Sequence, residues 1–166
     1  MGALGERAST LLYGKLPQVC PAGCLNSENH MADSKNRNIV IVEDEQEMID
    51  LIELILSRRG FDVIGANGGA QGLKAIREYK PDLVLLDLMM PEMDGWQVYQ
   101  QLKGDPSTEN IPVIVVTAKA QNIDKVLGLH IAKVDDYIPK PFSLEELVSR
   151  IEKVLKRSNQ AQKAAS

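Results

Sequence analysis

Three short runs, Asn38–Val42, Asp82–Leu86 and Ile111–Val116, are apolar almost without interruption. Each reads as a buried strand, and strands apolar on both faces need helices on both sides, so a parallel sheet follows. Phe61–Ile64 and Asp136–Ile138 read as two shorter strands. Amphipathic stretches alternate with the strands. Met48, Leu51, Ile52, Ile55 and Leu56 recur at helical spacing and stop at Gly60. Gly68–Tyr79 turns Leu73 and Ile76 inward, despite the ~1 kcal/mol that a glycine such as Gly72 costs inside a helix. Trp96, Val98, Tyr99 and Leu102 mark a third helix ending near Gly104, and Asn122–Ala132 a fourth. Ser143 and Glu146 form a capping box for a fifth, whose apolar face is Leu144, Leu147, Val148, Ile151, Val154 and Leu155. From Arg157 onward this helix is expected to fray. Short connections and right-handed crossovers leave few topologies.

The folded body therefore runs from 36 to 157, an ordinary size for one domain. With 44% hydrophobic and 25% charged residues, the bulk of the chain should fold. Residues 1–35 show neither helical nor strand periodicity and are punctuated by Gly2, Gly5, Gly14, Pro17, Pro21 and Gly23. They are expected to form a disordered extension, and residues 158–166 a short flexible tail. Cys20, Cys24 and His30 do not complete a four-ligand zinc site. Ala8–Val19 is interrupted by Ser9, Thr10, Gly14, Lys15 and Pro17, which argues against an export signal. No apolar run approaches the ~20 residues of a membrane span, and a cytoplasmic location is expected. The net charge of -4 and the lack of a basic helix argue against direct nucleic-acid binding.

In a parallel sheet all strands deliver their C-terminal ends to one edge, where ligands bind. Here those ends carry Glu43 and Asp44, then Asp87, Thr117 and Lys140. Three carboxylates brought together repel, and one divalent cation resolves the conflict. Oxygen donors with retained waters suit magnesium, with manganese as a substitute. Asp44, Asp87 and the Met89 carbonyl are the expected direct ligands, and Glu43 is expected to act through a bound water. A carboxylate beside such an ion can attack phosphorus to give an acyl phosphate. Lys140 would pair with one phosphoryl oxygen and the Thr117 hydroxyl would donate to another. Each residue alone has a plainer reading; a strand-end Asp is more often a helix cap. Their joint occurrence after four separate strands is what points to a site.

The motifs IVIVEDE, PDLVLLDLMMPEMDG, VIVVTAK and DDYIPKPF resemble those of the receiver domain of bacterial two-component response regulators. The resemblance covers Ile39 to about Lys156. It implies a flavodoxin-like, doubly wound α/β fold with strand order 2-1-3-4-5, and suggests a stand-alone, chemotaxis-regulator-like member. It places the paired acidic metal positions at Glu43 and Asp44, the phosphoacceptor at Asp87, the hydroxyl at Thr117, the lysine at Lys140 and the switch aromatic at Tyr137. It also implies a cis Lys140–Pro141 peptide and rate-tuning positions at Met89 and Lys119. The chemistry implied is magnesium-dependent phosphoryl transfer from a sensor histidine kinase or histidine phosphotransfer protein, then slow self-dephosphorylation. This is not a conventional metabolic activity. One departure is Ala132-Lys133-Val134, where family members commonly carry Gly-Ala.

Phosphate on Asp87 would add roughly two negative charges. Thr117 should then move toward it and let Tyr137 rotate inward, altering the face of the fourth helix, fifth strand and fifth helix. No DNA-binding domain is expected after Lys156, so output would pass through a protein target, a homodimer or onward phosphorelay. A phosphate-independent binding module of the same fold is the alternative. A magnesium-dependent hydrolase would want a second Asp two residues past the first, and position 89 is Met.

Overall fold

Parallel strands in the order β2-β1-β3-β4-β5 form the sheet in the computed structural model, which describes residues 37–118 and 134–164. The strands are β1 (Arg37–Glu43), β2 (Phe61–Asn67), β3 (Leu83–Asp87), β4 (Val113–Thr117) and β5 (Asp136–Pro139). The helices are α1 (Gln46–Ser57), α2 (Gly69–Tyr79), α3 (Gly95–Gly104) and a C-terminal helix (Leu144–Ala164). The order and direction are those expected of the doubly wound fold. The segments carrying Lys119, the expected fourth helix, Lys133, Cys20, Cys24, His30 and the expected extension over 1–35 lie outside the described residues.

Successive residues of a strand point to opposite faces, and that alternation divides the core in two. Ile39, Ile41, Leu83, Leu85, Ile114 and Val116 pack beneath α1 and the C-terminal helix. Val40, Val42, Val84, Leu86, Val113 and Val115 pack beneath α2 and α3. This is the physical reason for uninterrupted apolar runs: β3 and β4 are buried at every residue. Gly72 now has an explanation. A Cβ there would lie 2.5 Å from Val42 Cγ1, so the glycine lets α2 settle onto β1 and its helical cost is offset by the close packing.

Several boundaries differ from expectation for local reasons. Asp82 lies outside β3; its carboxylate accepts the Asn38 N–H at 2.9 Å, tying β3 to β1 from the side. β4 starts at Val113 because Pro112 has no N–H to give, although its carbonyl accepts from Val84 N at 3.0 Å. The capping box is half formed: Ser143 Oγ accepts from Glu146 N at 3.1 Å. Glu146 turns its carboxylate to Arg150 Nη2, 3.1 Å away, rather than back to Ser143. The C-terminal helix is longer than expected, running through Ala164 instead of fraying from Arg157 or giving way to a tail over 158–166. Arg157–Ala164 holds no Gly or Pro, and its Ala, Gln and Lys residues favour helix. Polarity there marks a solvated helix, not its end.

Candidate functional site

Register brings the polar strand ends together. Asp87 of β3 pairs with Val116, Thr117 of β4 pairs with Pro139, and Val42, just before Glu43, pairs with Leu86. Lys140 follows β5 directly, and its N–H donates to the Thr117 carbonyl at 2.8 Å. The Lys140–Pro141 peptide is cis, as expected. Glu43, Asp87 and Thr117 are all buried.

Lys140 is the hub of the cluster. Its Nζ donates to Glu43 Oε2 at 2.6 Å and to Asp87 Oδ2 at 2.7 Å. The other Asp87 oxygen, Oδ1, accepts the Met89 N–H at 2.9 Å. Asp87 is therefore held from both sides, by a side chain 53 residues away and by its own turn. That turn is clamped in place. Gly95 N donates to the Leu88 carbonyl at 3.2 Å, and Asp94 caps α3 by accepting from Gln97 N at 2.8 Å. A Cβ on Gly95 would overlap the Asp87 carbonyl oxygen. The role of Gly95 in seating Asp87 escaped sequence reasoning, because the close approach of its backbone to Asp87 has no signature in the residue pattern.

The acidic cluster fits a divalent cation. Glu43, Asp44 and Asp87 can each offer one carboxylate oxygen with all of these within 4.8 Å of one another. Glu43 Oε1 is buried with no hydrogen-bond partner, a costly arrangement that a cation or its water shell would relieve. The donors are all hard oxygens, which suits magnesium. Burial is the main force on Glu43, lifting its pKa from 4.5 to about 7, with the Asp87 charge adding to the rise and the Lys140 hydrogen bond opposing it. Lys140 is lowered by burial, but its bonds to Asp87 and Glu43 prevail and raise it overall.

Between the unfolded value of 4.5 and the folded value near 7, Glu43 holds a proton that the unfolded chain has released. Stability from this group is present below 4.5 and is lost as pH rises through 7. In chelator, native protein should therefore lose more thermal stability than Glu43→Gln between pH of about 5 and about 7. Parallel melting curves for the two proteins would contradict the assignment.

Residues 39–152 match the model of the response regulator receiver domain. The chain belongs to this family. Receiver-domain relatives include the alkaline phosphatase synthesis transcriptional regulatory protein PhoP of Bacillus subtilis, 42% identical over 74% of this chain and 50% of that protein. The DNA-binding response regulator MtrA of Mycobacterium tuberculosis is 40% identical over 76% of this chain and 54% of its own length. The chain thus spans about half the length of the curated relatives it matches. Among solved structures, a CheY-like receiver domain protein from Methanospirillum hungatei superposes with a TM-score of 0.70 at 27% identity, covering 76% of this chain and 99% of that one. A receiver domain from Methanoculleus marisnigri is 38% identical with a TM-score of 0.59, over 72% and 96% of the two chains.

The receiver family and the acidic cluster together bear out phosphorylation-dependent signalling with a divalent cation, in place of a metabolic activity. They also associate the domain with histidine-kinase-type systems. Among the described residues, no helix is long and apolar enough to cross a membrane.

Proposed function

We propose that this receiver domain takes a phosphoryl group onto Asp87 from a phosphohistidine, carried by a sensor histidine kinase or a histidine phosphotransfer protein. The observation that carries this reading is the buried Lys140 ammonium held between Glu43 and Asp87 at the sheet edge. It supplies a cation at the place where a phosphoryl group on Asp87 would need one. Asp44, Asp87 and the Met89 carbonyl would hold magnesium directly, with Glu43 acting through water. The bound ion would neutralise the carboxylates and the phosphoryl oxygens.

A carboxylate oxygen of Asp87 attacks phosphorus, the P–N bond breaks, and the electron pair leaves with the donor imidazole. Lys140 pairs with one phosphoryl oxygen and the Thr117 hydroxyl donates to another. Asp87 is held by Met89 N and Lys140 before the donor arrives, so little reorganisation is needed. Met89, 52% exposed, has a thioether that cannot move a proton, so hydrolysis of the acyl phosphate is left unassisted from that position. Lys119 is the second proposed rate-tuning position.

Tyr137 carries the proposed output. It lies outward on β5, 42% exposed, opposite Val115 of β4. Drawing Thr117 toward phosphate would open space for the ring and favour a second arrangement of the β5 face. That face, with the C-terminal helix, would dock a protein target or a second copy.

The test is incubation with acetyl phosphate and magnesium, followed by intact mass measurement. A single phosphoryl adduct, removed by hydroxylamine and absent when chelator replaces magnesium, is expected. A chain that remains unmodified under these conditions is a phosphate-independent binding module, and the proposal fails.

A further inference from the structure

Of the six methionines in the chain, Met89, Met90 and Met93 all lie in the turn that leaves Asp87. Their surroundings differ. Met90 is 7% exposed and belongs to the core beneath α2 and α3, and Met93 packs against that same core. Met48 packs against the core on the other sheet face. Met89 is turned to solvent: at 52% it is the most exposed methionine among the described residues. Its backbone, by contrast, is fixed. The Met89 N–H donates to Asp87 Oδ1 at 2.9 Å, and Gly95 N donates to the preceding Leu88 carbonyl at 3.2 Å. An oxidisable sulfur is thereby kept beside the carboxylate, on a turn whose shape does not depend on that side chain.

Resting on the phosphorylation of Asp87 put forward above, we propose that Met89 is a peroxide-sensitive modification site whose oxidation shortens the life of the phosphoryl group. A lone pair on the Met89 sulfur attacks one oxygen of hydrogen peroxide, and the O–O bond breaks. The departing hydroxide takes the proton of the transferred oxygen and leaves as water. Sulfur is oxidised by two electrons to the sulfoxide and the peroxide is reduced. At Met90 the same change would put a polar oxygen into the core and cost stability. At Met89 the new oxygen faces water, and both backbone bonds of the turn survive. The sulfoxide oxygen carries partial negative charge and accepts hydrogen bonds, where the thioether offered an almost apolar surface. It holds water at the entrance to Asp87, and the acyl phosphate is hydrolysed sooner. Enzymatic reduction of the sulfoxide restores the longer lifetime.

Treatment of native protein and Met89→Leu with limiting hydrogen peroxide tests this, with peptide mass locating each added oxygen and circular dichroism checking the fold. Met89 should be oxidised about tenfold faster than Met90, and ahead of Met48 and Met93. Each protein is then loaded with acetyl phosphate and magnesium, freed of donor, and followed by intact mass. Oxidised native protein should lose its phosphoryl group about threefold faster than unoxidised, the scale of one weak hydrogen bond. Methionine sulfoxide reductase should reverse the change, and peroxide should leave the decay of Met89→Leu as it was. Oxidation of Met90 as fast as Met89 overturns the inference. So does an unchanged decay in oxidised native protein, or the same acceleration in Met89→Leu; either result leaves the phosphorylation of Asp87 standing. Failure of unoxidised native protein to take any phosphoryl group overturns that phosphorylation, and this inference with it.

Discussion

Asp87→Asn is expected to abolish phosphorylation by acetyl phosphate, by about a thousandfold or more, as removal of a nucleophile does elsewhere. The substitution is nearly isosteric. Its amide oxygen can still accept the Met89 N–H that Asp87 Oδ1 accepts at 2.9 Å, so the turn into α3 keeps its shape. What disappears is the charged oxygen able to attack phosphorus. The fold should survive, because Lys140 keeps its Glu43 partner at 2.6 Å and the remaining pair is neutral. Removing the Asp87 charge also relieves one of the influences that raise the pKa of Glu43. Intact mass after incubation with acetyl phosphate and magnesium, alongside a thermal melt, separates lost chemistry from lost structure. A folded variant that acquires the same adduct as native protein would remove Asp87 from its assigned role.

Gly95→Ala should destabilise the domain by about 3 kcal/mol, the upper part of the range for overpacking. At an ordinary helical position alanine would be the better residue, by ~1 kcal/mol. Here the new Cβ would overlap the Asp87 carbonyl oxygen and lie 2.8 Å from both Asp87 C and Leu88 Cα. All three are backbone atoms, so no rotamer change can make room. The start of α3 must lift, straining the 3.2 Å bond from Gly95 N to the Leu88 carbonyl and shifting the turn beside Asp87. Gly104→Ala is the control, because a Cβ there meets nothing within 4 Å. Urea unfolding should give a lower midpoint for Gly95→Ala and an unchanged or higher one for Gly104→Ala. Equal midpoints for the two variants would show that the clash at Gly95 is relieved without cost.

The contrast between these glycines explains what could be foreseen. Glu43, Asp87, Thr117 and Lys140 end or follow strands whose apolar runs are visible in the chain, and parallel pairing then places them on one edge. Strand order followed from the receiver resemblance and agrees with the observed sheet. Details that depend on where side chains end in three dimensions were not legible. Nothing in the spacing of Glu43 and Lys140 says that one ammonium would bridge Glu43 as well as Asp87. Glu146 fits a capping box by spacing, yet Arg150, one turn on, competes for its carboxylate and wins. The end of the last helix was misplaced because exposed Arg, Asn and Gln residues such as Arg157, Asn159 and Gln160 look alike in a solvated helix and a loose tail.

The division of the core between two sheet faces has a consequence for how the molecule opens. β3 is sheathed by helices on both sides and flanked by β1 and β4, so its amides should exchange with deuterium only when the whole domain unfolds. β5 is a four-residue edge with a single buried side chain, and it should exchange through smaller, more frequent openings. Asp87 is thus anchored to the slowest-exchanging part of the molecule, and Tyr137 to one of the fastest. The reacting carboxylate keeps its place while the neighbouring edge retains the freedom to rearrange.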